Sequence, residues 1–341
     1  MEHISELRQD LVSGDWVVVA TGRAKRPGAF KESPVEAPSP REGCPFEDPQ
    51  AAGNEAALLA YDRVGRPVGS KASDPWFVQV VSNKFPAFGQ GTCDEFHSVG
   101  PYTVLDGVGS HEVVITRDHE RQWGDFSDGE AAAVFAAYRD RYLALLRAPC
   151  VRYVSVFHNH GRGAGASVWH PHSQIIAIPV IPPDVKRSLD GSRRYWHENE
   201  LCVHCAMMAW EQEEGTRIVF ENEHALAFCP FVSRTAFEAR IFPKRHEPFL
   251  ERSSPEELLG MATVLRTVLQ MLGQKLNHPA YNFFIHTAPS TSEEDYRHYH
   301  WHLEIIPKTQ VWAGFEIGTG IEISTISPEM AAAYLRGDAE A

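Results

Sequence analysis

The sequence predicts an α+β protein in which one unit is used twice, each copy built on a mostly antiparallel sheet with flanking helices. Three observations carry this. Both halves present strand, helix, strand and a His-x-His strand in the same order. Each helix is announced by a capping box, Ser127-Asp-Gly-Glu130 and Ser254-Pro-Glu-Glu257. Matched histidines also stand at nearly the same separation, 51 residues from His119 to His170 and 54 from His246 to His300. Chance likeness of two unrelated domains would have to reproduce every landmark in order. The halves divide into units 1–180 and 181–341.

Residues 16–20, bounded by Ser13-Gly14, read as a strand, and residues 27–49 as a proline-rich loop or arm. After Cys44-Pro-Phe-Glu47 comes a strand at 112–116 that runs into Arg117-Asp-His119. The helix after Ser127 places Phe135, Tyr138, Tyr142, Leu145 and Leu146 at helical spacing. A strand at 153–157, a glycine-rich loop and the strand 170–179 complete the first unit. Residues 181–199 open on Pro182-Pro183, contain Asp-Gly-Ser, and read as a weakly ordered connection. The second unit has Cys202-Val-His-Cys205, a strand at 239–242 running into His246, and a helix with proline at its first position. That helix puts Leu258, Leu259, Ala262, Leu265, Leu269 and Leu272 on one face, before strands at 281–285 and 300–307.

Composition narrows the chemistry. The 341 residues carry 32 Lys+Arg against 45 Asp+Glu, a net charge of −13, which argues against nucleic-acid binding. No apolar run is long enough to span a bilayer, and the start is too charged for a secretory signal. With six cysteines, a reduced, cytoplasmic protein is the default. The 17 histidines stand out, and position decides what they do.

Cys202 and Cys205 have the spacing of a zinc knuckle, and His246 with His300 can complete the set. His298 competes with His300, which is preferred because His300-x-His302-x-Glu304 mirrors His170-x-His172-x-Gln174. Cys44, Glu47, His119 and His170 stand at the equivalent first-half positions. There the alternatives are a Cys-Glu-His-His zinc site and a solvated Glu47 with no metal.

The sharpest motif is His170-Pro-His172-Ser-Gln174. On a strand, 170, 172 and 174 project from one face, and the proline suggests an edge strand. The preceding loop, Asn159-His-Gly-Arg-Gly-Ala-Gly165-Ala166-Ser167, can bring backbone N–H groups to phosphate oxygens. Its spacing and the strand after it exclude a dinucleotide-binding turn. Beside such a loop an imidazole can attack phosphorus and form a covalent intermediate, with Gln174 donating to a phosphoryl oxygen. Arg23, Lys25 and Arg26 cluster three positive charges in an acidic chain and would face a diphosphate. The second half lacks a glycine-rich loop before His300, so it is expected to be structural.

With these motifs the chain resembles the galactose-1-phosphate uridylyltransferases, the transferase branch of the histidine-triad superfamily. The likeness runs from Glu6-Leu-Arg-Gln-Asp10 through Cys44-Pro-Phe46, Asn83-Lys-Phe-Pro86 and His170-Pro-His172-Ser-Gln174 to Ala313-Gly-Phe-Glu-Ile-Gly-Thr-Gly320. The resemblance implies a duplicated histidine-triad fold and ping-pong transfer of a uridylyl group from UDP-glucose to galactose 1-phosphate. His172 matches the nucleophile, with Ser167 and Gln174 beside it. Asn83, Asn159, Gly165, Ala166 and the turn from Arg23 to Arg26 fall on nucleotide-sugar contacts. Val311, Gly314, Phe315 and Glu316 match a segment that family homodimers place near the hexose. Cys-x-x-Cys in the second half and the ending at Gly320 are similar to the ADP-glucose phosphorylase branch, which implies adenylyl transfer to phosphate as the alternative. A zinc-stabilised nucleotide-binding protein without catalysis is the rival from another class.

Overall fold

The computed structural model describes residues 5–22, 37–93, 96–289 and 295–339. The first half contributes β1 (Glu6–Gln9), β2 (Trp16–Val19), β3 (Leu59–Tyr61), β4 (Val78–Ser82), β5 (His97–Val99), β6 (Tyr102–Val104), β7 (Ser110–Thr116), α1 (Asp128–Leu145), β8 (Tyr153–His160) and β9 (His172–Ile178). The second contributes α2 (Pro183–Asn199), α3 (Val203–Glu214), β10 (Ile218–Glu221), β11 (Ala225–Phe228), β12 (Ala239–Pro243), α4 (Pro255–Lys275), β13 (Tyr281–His286) and β14 (His302–Pro307). It ends with α5 (Gly314–Thr319), β15 (Glu322–Ser324) and α6 (Pro328–Arg336).

The fold is α+β with the expected duplication, and the sheets of the two halves are joined. One ten-stranded sheet runs β3-β4-β7-β9-β8-β13-β14-β12-β11-β10, with antiparallel pairing throughout. The order is a mirror: β8 and β13 meet at the centre, followed outward by β9 and β14, β7 and β12, β4 and β11, β3 and β10. Their register runs from Tyr281 opposite His160 to Ile285 opposite Val156. Joining the sheets satisfies two edges that would otherwise present unpaired backbone groups. A separate small sheet, β1-β2-β15, ties the C-terminal part of the chain to the N-terminal part.

Both capping boxes form as their residue types require. Ser127 Oγ accepts from the Glu130 N–H while Glu130 accepts from the Ser127 N–H, and Ser254 and Glu257 do the same. Helices α1 and α4 pack together over one face of the sheet, where Trp123, Phe135, Tyr138, Leu265 and Phe283 are buried. Strand alternation sorts β9 accordingly. Ser173, Ile175 and Ala177 turn to the helices, where Ser173 Oγ lies 2.6 Å from the Tyr138 hydroxyl, and His172 and Gln174 turn to the other face.

Three expectations are corrected. Residues 181–199 form α2, a helix of 17 residues, not a weakly ordered connection. Pro183 sits where a helix tolerates proline, and Val185 and Leu189 are buried. Gly191, which reads as a turn residue, is there for close approach: a Cβ would meet the Val12 carbonyl oxygen at 1.8 Å. Second, β9 is an interior strand, paired with β7 and β8. Pro171 falls just before its first residue, where no ladder N–H is needed. Third, not all cysteines are reduced: Cys93 and Cys150, with Cα atoms 5.6 Å apart, form a disulfide. No helix among the described residues is long and apolar enough to cross a membrane.

Two predictions follow from the packing. Gly191→Ala should destabilise the protein by about 1–3 kcal/mol in urea denaturation, since backbone cannot move aside as a side chain would. Unchanged stability would mean that α2 does not dock on Val12. The second concerns His158, which is buried, stacks on Phe283 at 5.0 Å and lies 3.0 Å from Ser173 Oγ through Nδ1. Burial pushes its pKa well below the ordinary value. The unfolded chain then takes up a proton below about pH 6.5 that the native state refuses, so stability falls as pH falls. His158→Phe should reduce that slope by up to ~1.4 kcal/mol per pH unit. An identical slope in denaturation at pH 7 and 5.5 would refute the assignment.

Candidate active site

The site is assembled at one end of neighbouring strands. His119 follows β7, His170 precedes β9, and these strands are paired, so the two histidines converge despite their distance in sequence. Cys44 and Glu47 join them from a turn, and one ligand atom from each of the four residues lies within 4.8 Å of the others. Both rings are held from behind. His119 Nε2–H donates to the Ser39 carbonyl (2.8 Å) and His170 Nε2–H donates to the Thr116 carbonyl (2.6 Å). Each Nδ1 lone pair therefore faces inward, with His119 Nδ1 2.7 Å from Glu47 Oε1 and Cys44 Sγ 3.6 Å from His170 Nδ1. An imidazole nitrogen and a carboxylate oxygen at that distance share either a proton or a metal ion. The donor set and its outer carbonyls fit a divalent metal. Burial keeps His170 neutral, with a pKa lowered to about 4.

The second half repeats the arrangement with thiol in place of carboxylate. Cys202 is the N-cap of α3, Cys205 lies in its first turn, His246 follows β12 and His300 precedes β14. Their ligand atoms again fall within 4.8 Å of one another, with Cys205 Sγ 3.3 Å from His246 Nδ1 and 3.5 Å from His300 Nδ1. His246 Nε2–H donates to the Arg297 carbonyl at 3.0 Å. The structure brings in His300 rather than His298, which lies beside Tyr296. Hydrogen bonding to Cys205, then to His246 and His300, holds the Cys202 thiol well below its ordinary range against the effect of burial. This set too fits a divalent metal.

His172 begins β9, directly after the first cluster. Its Nδ1–H donates to the His170 carbonyl at 2.8 Å, so Nε2 carries the free lone pair. Burial lowers its pKa, partly offset by that hydrogen bond, and keeps the ring neutral near pH 7. Gln174 lies on the same face, and its Oε1 is 2.8 Å from His111 Nε2. The side-chain nitrogen of Asn83 also lies against the His111 ring, at 3.1 Å from Nε2. His111 is a site residue that the sequence reading passed over. The available signal was alternation along 111–116, which puts 111, 113 and 115 on one face.

The glycine-rich loop differs from expectation. Gly161 and Gly165 take positive φ, 77° and 89°, as a tight turn requires. The N–H groups of Ala164, Gly165 and Ala166 then donate to the carbonyls of Gly161, Arg162 and Gly161, so these amides close the loop instead of presenting an anion nest. Ser167, after the loop, is exposed. Arg23, Lys25 and Arg26 lie outside the described residues. Gly314, Phe315 and Glu316 lie in α5, which packs on β15 instead of joining His172, and Val311 precedes it, 92% exposed.

His302, the second-half counterpart of His172, has the same backbone bond, Nδ1–H to the His300 carbonyl at 3.0 Å. Its surroundings differ. Phe242 stacks on it at 4.8 Å, with His286 at 4.9 Å and His204 at 5.0 Å. Among the described residues, His172 has one such ring against it, Phe46 at 5.0 Å.

Comparison with known proteins gives concordant findings. The family model for the galactose-1-phosphate uridyl transferase N-terminal domain matches residues 1–182, and a model described as a domain of unknown function (DUF4921) matches residues 107–335. The chain is 33% identical to the ADP-glucose phosphorylase of Arabidopsis thaliana, over 97% of this chain and 92% of that protein. It is 29% identical to the galactose-1-phosphate uridylyltransferase of Thermotoga maritima, over 97% and 98%. Among solved structures, the Arabidopsis thaliana ADP-glucose phosphorylase with bound ADP-glucose superimposes with a TM-score of 0.81 at 29% identity, covering 99% of this chain and all of that one. A uridylyltransferase structure gives 0.73 at 26% identity, covering 98% of each.

If the clusters hold metal, elemental analysis of the purified protein should find it, and chelation should lower the melting temperature, because metal binding contributes folding free energy. Cys205→Ser should have the same effect without chelator. A metal-free preparation that melts at the same temperature would contradict this.

Proposed function

The chain belongs to the galactose-1-phosphate uridylyltransferase family, and on that premise we propose that it moves a nucleotidyl group from a nucleotide sugar to a phosphate-bearing acceptor through a covalent intermediate on His172. The observation that carries this is the His172 hydrogen bond to the His170 carbonyl, which leaves Nε2 neutral and unprotonated on the side of the sheet away from α1 and α4. Nε2 forms a bond to the α-phosphorus as the pyrophosphate P–O bond breaks, and hexose 1-phosphate leaves with the electron pair. A phosphate oxygen of the acceptor then attacks phosphorus, and the P–N electrons return to Nε2.

Gln174 donates to a non-bridging oxygen in both steps, with Ser167 beside it. Asn83 and Asn159 hold the nucleotide sugar, and Arg23, Lys25 and Arg26 supply counter-charge to its phosphates. Cys44, Glu47, His119 and His170, and likewise Cys202, Cys205, His246 and His300, would each hold a zinc ion. Bound there, zinc would add structural rigidity, and His170 as its ligand would hold its own carbonyl beneath His172. Residues 1–180 are the catalytic half and 181–341 the supporting half. The exposed apolar side chains of Val311, Trp312, Phe315 and Ile317 suit a homodimer in which this segment of one copy completes the site of the other.

For the donor, the first reading is ADP-glucose with inorganic phosphate as acceptor. Support comes from the identity to the Arabidopsis thaliana enzyme along nearly the whole chain, and from that protein's structure with ADP-glucose bound. UDP-glucose with galactose 1-phosphate is the second, supported by the family model and the Thermotoga maritima relative. Intact-protein mass spectrometry after mixing with each nucleotide sugar separates them, since the adduct is adenylyl in one case and uridylyl in the other. His172→Gly should carry no adduct and release no glucose 1-phosphate. A wild-type protein that takes no adduct and releases no glucose 1-phosphate would leave the non-catalytic binding protein as the better account, and full activity in the variant would rule out His172 as the nucleophile.

A further inference from the structure

Asn282 belongs to the second half, yet its amide acts on the first. In the β8–β13 register it stands opposite Asn159. Continuing the β8–β9 register by one step, beyond His158 opposite Ser173, places Asn159 opposite His172. Directly opposed residues of antiparallel strands project from the same face, so Asn282, Asn159 and His172 form a row across three strands. Asn282 Nδ2 donates to the Ala164 carbonyl oxygen at 2.8 Å and to Asn159 Oδ1 at 2.7 Å.

The identity of each atom follows from the backbone. A carbonyl oxygen only accepts, so the Asn282 group facing Ala164 is the NH2. An NH2 only donates, so the Asn159 atom facing it is the carbonyl oxygen. The NH2 of Asn159 is then at its other end, on the His172 side of the row.

We propose that Asn282 is a positioning residue for nucleotidyl transfer, one that turns Asn159 so that a donor faces the α-phosphate and that anchors the 161–167 loop through Ala164. This rests on the reading of His172 as the nucleophile. Without Asn282, Asn159 can turn its carbonyl oxygen forward, where it repels the phosphoryl oxygens.

The test is the single-turnover rate at which His172 is nucleotidylated, with the nucleotide sugar that modifies the wild type. Asn282→Leu should slow it about tenfold, less than complete removal of a transition-state donor costs. Asn159→Ala should slow it as well, and the double variant should be within about twofold of Asn159→Ala alone, because Asn282 then has little left to orient. Losses that simply multiply would overturn the proposal. Asn159→Asp gives an answer even if Asn282→Leu misfolds, since it keeps the bond from Asn282 but presents oxygen forward. It should be slower than Asn159→Ala, and a wild-type rate would refute the need for a forward donor. A wild type that takes no nucleotidyl group would fail the functional reading and this proposal together, whereas a modified wild type with unaffected variants would fail this proposal alone.

Discussion

The site depends on a short covalent connection with two non-covalent ends. His170 directs its ring into the first cluster and offers its carbonyl to His172, two residues on. A single neutral hydrogen bond contributes only about 0.5–1.5 kcal/mol of net stability, so its importance is directional. It decides which nitrogen carries the proton, and with it which nitrogen can attack. Holding the His170 ring, by the Thr116 carbonyl behind it and by the cluster in front, therefore also holds the His172 ring. Metal sites with outer-sphere carbonyls commonly orient imidazoles this way. Here the oriented ring passes its geometry to a second one.

Duplication explains why the same device occurs twice. His300 and His302 repeat the ring-in, carbonyl-out arrangement of His170 and His172. The difference lies in what faces the second imidazole. On the β9 side the polar side chains of Gln174, Asn83 and His111 gather, with the Phe46 ring 5.0 Å from His172, whereas Phe242, His204 and His286 surround His302. The neighbours of the second imidazole, mainly polar in one half and aromatic in the other, separate the halves. The second half still contributes to the first by completing the central seam of the sheet.

Much of this was legible in the sequence because it rests on local chemistry or fixed spacing. Capping boxes at Ser127 and Ser254 place α1 and α4, and the paired His separations identify ligands that end up together. Cys202-x-x-Cys205 is brought together with His246 and His300, as its ligand spacing suggests. What was not legible depends on long-range approach. Asp-Gly-Ser at 190–192 has the composition of a turn, and only the contact of Gly191 with Val12 shows why a helix needs glycine there. Pro171 reads as an edge-strand residue until the strand is seen to begin one residue later. The glycine-rich loop has the composition of an anion nest, but its own carbonyls take three of its amides. His111 lacks a motif of its own and becomes a site residue through Gln174 on the next strand.

The claim at the centre is that the His170 carbonyl selects Nε2 of His172 as the attacking atom. Phosphorus–nitrogen coupling in the NMR spectrum of the trapped nucleotidyl-enzyme, prepared with 15N-labelled histidine, reads this directly. The account predicts a single phosphoramidate, on His172 and bonded through Nε2. Phosphorus bonded to Nδ1, or to any other residue, would contradict it.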